Sequence, residues 1–198
     1  EGRQLCIDGL AHGAAYEVTL RAGLPAASGE RLAEAVALDF YVRDRSPAVR
    51  FTGRAYVLPR AAGAAIPVVT VNAAEVALEI HRIGARNLLP AIQDGTFGAR
   101  LNQYAERRIA EETGAPVWTG TAEVARRLNA EVTTALPVGE AIRDFEPGVY
   151  VMTARLPEAG RAWEEAATQW FVVTDLGLAT VSGADGLHVM VRGLSDAA

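Results

Sequence analysis

A pattern of paired strands occurs twice in this 198-residue chain, and it limits the fold more than any single motif does. The first copy runs Gly13-Ala14-Ala15-Tyr16-Glu17-Val18-Thr19-Leu20, passes Leu24-Pro25 and returns as Phe40-Tyr41-Val42-Arg43-Asp44. The second runs Gly148-Val149-Tyr150-Val151-Met152-Thr153-Ala154-Arg155, passes Leu156-Pro157 and returns as Phe171-Val172-Val173-Thr174-Asp175, about 130 residues further on, an ordinary domain length. Two similar domain ends in one chain imply tandem modules. The chain therefore reads as a segment of a longer multidomain protein.

Hydrophobic period and turn residues give the organisation. Tyr16, Val18 and Leu20 alternate with Glu17, Thr19 and Arg21, as in a half-buried strand, and Val36, Leu38, Phe40 and Val42 alternate again after a turn-rich stretch from Gly23 to Gly29. Residues 1–45 hold too few strands for a complete β domain, because a lone strand pair has no second layer against which to bury its apolar face. Asp44-Arg45-Ser46-Pro47 reads as a linker, since proline cannot donate to a ladder and holds the residue before it extended.

A second unit starts beyond the linker. Val49, Phe51 and Arg54-Ala55-Tyr56-Val57-Leu58 form its entry, Pro59 to Pro67 a turn region, and Val68 to Val71 a strand. Val76, Leu78 and Ile80 alternate with Ala77, Glu79 and His81, and Asn72 to Glu75 reads as a hairpin connection between these two strands. Leu88, Leu89 and Ile92 before Asp94-Gly95 suggest a helical turn; Leu101, Ala105 and Ile109 make one helical stripe, and Val138, Ala141, Ile142 and Phe145 another. Residues 117–136 are ambiguous. Val117 to Thr121 and Val132 to Leu136 lean to strand, whereas Val124 and Leu128 suit a helix. Strands return at 148–156 and 168–174. The expected fold is mainly β: an immunoglobulin-like sandwich with a helical insertion around 85–146, plus partial β modules on either side. After Asp175, the alternation of Leu187, Val189 and Val191 suggests the first strand of a further unit.

Composition excludes several functions. Half the residues are hydrophobic and 22% are charged, an ordinary globular balance, and the formal net charge of −5 offers no basic footprint for nucleic acid or an anionic membrane. All 19 cationic residues are arginine, which removes Schiff-base lysine chemistry, a P-loop lysine and lysine-derived crosslinks from this segment; a coding bias in the source is the simpler reading of the pattern. Cys6 is alone, so no intrachain disulfide forms, and a small buried hydrophobe is its simpler reading. No apolar run reaches membrane-spanning length and no signal peptide is visible.

Candidate sites are weak. His12, His81 and His188 fall in three different modules without metal-ligand spacing. Glu111/Glu112 and Glu164/Glu165 are adjacent pairs whose side chains diverge, better suited to a solvated face than to acid–base work. Asp94-Gly95-Thr96-Phe97-Gly98 and Ser182-Gly183-Ala184-Asp185-Gly186 are turns without phosphate-cradle spacing, and Ser46 and Ser182 lack a nucleophile elbow. Trp118, Trp163 and Trp170 are candidates for an aromatic platform. Trp170 and Phe171 alternate in a strand, so one is expected in the core and the other on the opposite surface or against a neighbouring domain; Trp163 lies in a loop that suits an interdomain contact and simple loop packing equally. Arg100, Arg107 and Arg108 form a basic cluster that Glu106, Glu111 and Glu112 are expected to neutralise. No catalytic, cofactor or metal residue is assigned.

Tyr16-Glu17-Val18-Thr19-Leu20 through Leu24-Pro25, Tyr41-Val42-Arg43-Asp44-Arg45-Ser46-Pro47, Gly53-Arg54-Ala55-Tyr56-Val57-Leu58-Pro59, Pro67-Val68-Val69-Thr70-Val71-Asn72, Pro147-Gly148-Val149-Tyr150-Val151 and Thr168-Gln169-Trp170-Phe171-Val172-Val173-Thr174-Asp175-Leu176-Gly177-Leu178 together resemble the N-terminal half of bacterial alpha-2-macroglobulins. The resemblance implies a periplasmic, inner-membrane-anchored protease trap built from many macroglobulin-like β-sandwich domains, with a cleavable bait segment and often a Cys-x-x-Gln thioester. Cys6 is followed at that spacing by Gly9, so the thioester is not carried over, and no bait is identified. By the resemblance, 1–45 are the last strands of one macroglobulin-like domain, 46–176 a complete one and 177–198 the first strand of the next. The implied function is a noncatalytic scaffold segment of a broad-spectrum endopeptidase inhibitor, acting through neighbouring domains of its own chain. The alternatives are a surface adhesin or carbohydrate-binding sandwich, and an accessory module of a hydrolase.

Overall fold

The computed structural model describes residues 6–53, 55–58, 64–142, 144–157 and 166–194. Two sheets face each other around the main core. One has five strands in the order β4 (Ala55–Leu58), β10 (Ala167–Val173), β9 (Gly148–Arg155), β6 (Glu75–Ile83), β7 (Gly114–Glu123); the other has three, β3 (Ala48–Phe51), β5 (Ile66–Val71), β8 (Glu131–Leu136). All pairings within them are antiparallel except β4 with β10.

Alternation along the strands builds this core. Ile66 and Val68 from β5, Val76, Leu78 and Ile80 from β6, Tyr150, Met152 and Ala154 from β9, and Phe171 and Val173 from β10 meet in one buried cluster. Phe145, Tyr150 and Phe171 stack through its middle, with centroid separations of 4.9 and 5.4 Å. The connection after β5 is not the hairpin expected at Asn72–Glu75: β5 and β6 lie in different sheets, and the chain crosses between them at Asn72. Two alternating strands in succession carry no information about which sheet each one joins.

The outer face of the five-stranded sheet supports a second core. Val151 from β9, Trp170 from β10 and Ile83 from β6 pack against Leu101 and Ile109 of the helical segment. That segment comprises α1 (Ala85–Gln93), α2 (Gln103–Arg108) and a π-helical turn (Ile109–Thr113) that continues α2. Asn102 caps α2, its side chain accepting from the Ala105 N–H at 2.9 Å. The chain then turns sharply into β7 at Gly114, where a Cβ would come within 2.9 Å of Ile109 Cγ2 and of its carbonyl oxygen.

The helical insertion is therefore shorter than the expected span of 85–146. Helix occupies 85–93 and 103–113, with a single turn α3 (Gly139–Ile142) later, while β7 and β8 belong to the two sheets. The lean to strand at Val117 to Thr121 and Val132 to Leu136 is borne out in β7 and β8, while Pro116 and a register shift beside Ile80/His81 break the alternation near the start of β7. Val124 and Leu128, read as suiting a helix, lie outside regular helix and strand between β7 and β8.

A two-stranded sheet flanks the sandwich at each end. β1 (Ala14–Leu20) pairs with β2 (Val36–Val42), and β11 (Leu176–Gly183) pairs with β12 (Gly186–Gly193). The second corrects the expectation of a single strand beyond residue 176. Both leave large apolar side chains in solvent, Leu38 and Tyr41 on one and Leu178 and Leu187 on the other.

Candidate functional site

A dense polar arrangement sits where β2 ends and the sandwich begins. Asn72, at the crossing between sheets, and Asn129, in the loop before β8, have φ of 49° and 60°, the two positive values among described non-glycine residues. Asparagine tolerates this left-handed geometry better than other residues with a Cβ. The two side chains face each other: the Asn129 N–H donates to Asn72 Oδ1 at 2.6 Å, and Asn72 Nδ2 donates to Asn129 Oδ1 at 3.2 Å.

Between them they hold the linker. Asn72 Nδ2 donates to the Arg45 carbonyl at 2.7 Å, Asn129 Oδ1 accepts from the Arg45 N–H at 2.9 Å, and Asn129 Nδ2 donates to Asp44 Oδ1 at 2.7 Å. Gly13, at the foot of β1, closes the joint from the other side. Its φ is +74°, and a Cβ there would fall 2.5 Å from Asp44 Oδ1 and 2.8 Å from Asn129 Nδ2. Glu131 at the start of β8 accepts from Arg50 at 2.7 Å and from Arg45 at 3.4 Å. The Arg50 hydrogen bond, followed by that of Arg45, holds the Glu131 carboxyl below the ordinary glutamate range. The segment read as a linker is thus fastened through both backbone groups of one residue.

The other singled-out residues stay apart from this joint. His12 Nδ1 lies 2.9 Å from the Arg43 carbonyl, His188 pairs with Asp185 inside the β11–β12 turn, and His81 lies half-buried on β6. Ser182 shares that same hairpin region and Ser46 is exposed beside the joint. Glu111 and Glu112 are exposed on the π-helical turn. Cys6, read as buried, is exposed. Glu164, Glu165 and Trp163, with the contact expected of that tryptophan, lie outside the described residues.

Trp170 and Phe171 are both buried, at 1% and 0% exposure. Phe171 enters the sandwich core and Trp170 the helical core, where its Nε1–H donates to the Ala99 carbonyl at 2.8 Å and Phe97 meets it edge-on. The opposite surface expected for one of them is covered by the chain's own insertion. Trp118 packs partly buried against the sandwich core. Trp118 and Trp170 are thus committed to packing and do not make an exposed platform.

Within the basic cluster, Arg108 pairs with a different partner from those expected. Arg108 binds Asp94 at 2.9 Å, and Asp94 also accepts from the Thr96 N–H, so the Asp94-Gly98 loop is a turn that secures a helix. Hydrogen bonds from Thr96, and then from Arg108, lower the Asp94 carboxyl. Glu106 turns to the sheet, receiving both Arg155 terminal nitrogens at 2.5 and 2.6 Å. Among the described residues no group of three His, Cys, Asp or Glu is arranged to hold a metal ion.

Asn72 and Asn129 were not legible as site residues. The available signal was the residue type alone, asparagine flanked by apolar positions in Val71-Asn72-Ala73 and Leu128-Asn129-Ala130, which marks left-handed corners. Their meeting depends on tertiary structure.

A family model described as the bacterial alpha-2 macroglobulin MG2 domain matches residues 50–171, more than half of the chain. The chain belongs to the bacterial alpha-2-macroglobulin family. It is 32% identical over 187 residues to an alpha-2-macroglobulin of Xylella fastidiosa strain 9a5c, an alignment covering 90% of this chain and 11% of that protein. Among solved structures, a Salmonella alpha-2-macroglobulin mutant aligns over 93% of this chain and 10% of its own, with a TM-score of 0.67 and 18% identity. A native Escherichia coli alpha-2-macroglobulin structure spanning domains MG0-NIE-MG1 aligns over 95% of this chain and 59% of its own, with a TM-score of 0.64 and 20% identity. The chain spans about a tenth of the length of the curated relative, so an alpha-2-macroglobulin of that size continues well beyond the matched region. These structural alignments support the macroglobulin β-sandwich fold.

Proposed function

We propose that this chain is a noncatalytic scaffold segment of a bacterial alpha-2-macroglobulin-like broad-spectrum endopeptidase inhibitor. Residues 46–176 form one macroglobulin-like domain; 1–45 end the domain before it, and 177–198 begin the domain after it. Its task is to set how one module is carried on the next. The observation that supports this best is the joint, in which the Asp44–Arg45 linker is fastened to the sandwich by two asparagines held in an uncommon backbone conformation. A trap that encloses its target must transmit rearrangement through its domains, and modules joined by a fixed contact move as one body.

The partners under this reading are neighbouring domains of the same polypeptide and, through the whole protein, target proteases. The parent protein is periplasmic and anchored to the inner membrane; cell fractionation tests that placement. The inhibitor role is tested by incubating the intact protein with a broad-specificity endopeptidase. Enclosure is expected to slow digestion of a large protein substrate while sparing hydrolysis of a short peptide. Unaltered digestion of the large substrate would contradict the reading. No described residue favours the carbohydrate-binding alternative.

A further inference from the structure

We propose that the Arg45–Ser46 peptide bond is a masked cleavage site for trypsin-class endopeptidases, and that the Asn72–Asn129 pair is the mask. Such an enzyme needs an arginine whose side chain can enter an acidic pocket and whose backbone is free to lie extended along the enzyme. Arg45 supplies the side chain, and Ser46 supplies an unobstructed leaving residue. The surroundings are within reach: Arg45 is partly exposed, and Ser46 and Pro47 are exposed.

Yet every hydrogen-bonding group of Arg45 that a protease would engage is already engaged by the sandwich. Its N–H is held by Asn129, its carbonyl by Asn72 and its guanidinium by Glu131. Cleavage requires Arg45 to leave the joint. Once released, the step is ordinary hydrolysis. The protease serine attacks the Arg45 carbonyl, Ser46 departs as a free amine after receiving a proton, and water then frees Arg45 as a carboxylate. The rate follows the population of the opened joint as long as opening and closing outpace cleavage. This inference stands apart from any inhibitory activity of the parent, because it concerns one bond and its own hydrogen bonds.

The test is limited digestion of the intact protein with trypsin, with mass spectrometry counting new termini. In the native protein the terminus beginning at Ser46 is expected to appear slowly. In Asn129→Gly, which keeps the backbone angle accessible but removes the amide, it is expected to appear about tenfold faster or more. Cleavage after Arg82 and Arg155, both in central strands, serves as the internal control and is expected to stay unchanged. Equal rates of Ser46 release in the native protein and Asn129→Gly would overturn the proposal. Should that variant unfold and speed all three cleavages together, Glu131→Gln decides instead. It removes the carboxylate that the Arg45 and Arg50 guanidiniums share while leaving both backbone hydrogen bonds of Arg45 in place, and is expected to raise Ser46 release roughly twofold; no change at that bond would overturn the proposal.

Discussion

Replacing Trp170 and Phe171 one at a time separates the two cores. They are neighbours in β10 but serve opposite faces of the five-stranded sheet. Trp170→Ala removes the largest side chain of the helical core, its edge-on contact with Phe97 at 5.3 Å and its hydrogen bond to Ala99. Truncating a fully buried tryptophan costs about 3–5 kcal/mol. The helical segment has little to offset that loss. The nine-residue α1 and the six-residue α2 bury no residue of their own, and helices shorter than about 12 residues are marginal in isolation. Leu101 and Ile109 would then face a cavity where Trp170 had filled the space between them and the sheet.

The expected result is local. By hydrogen exchange, amides of residues 103–113 lose protection in Trp170→Ala, while those of β5, β6 and β9 stay protected. Phe171→Ala carries a similar cost of about 3–5 kcal/mol but removes one end of the Phe145–Tyr150–Phe171 stack in the main core, so protection is expected to fall across both sheets together. Uniform loss in Trp170→Ala, or intact protection at 103–113, would refute the division into two cores.

Two further outcomes concern the joint. Asn129→Ala loses bonds to Arg45, Asp44 and Asn72 and places an alanine in a left-handed conformation, so urea denaturation should show a loss of about 3 kcal/mol. Asn129→Gly should retain about 1 kcal/mol of that, and equal values would remove backbone conformation from the account. Acid should also loosen the joint. The Glu131 carboxyl is lowered in the folded state, so its contribution is complete above the ordinary glutamate range and disappears as pH falls through the lowered folded value. An NMR titration of the Arg50 and Arg45 side-chain signals, flat in Glu131→Gln, checks this.

Where one face of a strand is wet and the other dry, the fold was readable in the sequence. Tyr16, Val18 and Leu20 in β1 and Val76, Leu78 and Ile80 in β6 lie in the strands their alternation implies. Leu101 and Ile109 face the same core as their predicted stripe implied, although Leu101 lies just before the Asn102 cap and not within the helix. The pattern weakened where strands meet other constraints. A proline and a bulge interrupt β7, so that only Val117 to Thr121 leaned to strand there, and the β5–β6 crossing looks like a hairpin because period-two spacing does not identify the sheet. Trp170 was half understood: alternation separated it from Phe171 but gave no sign that the insertion folds back over it. The joint was the least visible, since Asp44-Arg45 reads as a linker until Asn72 and Asn129, 57 residues apart, are brought together.

The fixed joint is tested most directly by measuring a distance across it. Spin labels at Thr19→Cys on β1 and Thr121→Cys on β7, in a Cys6→Ser background, report the separation of the flanking hairpin from the sandwich by pulsed electron resonance. A single narrow distance distribution that broadens in Asn129→Gly is the predicted result. A broad distribution in the protein with both asparagines intact would contradict the account.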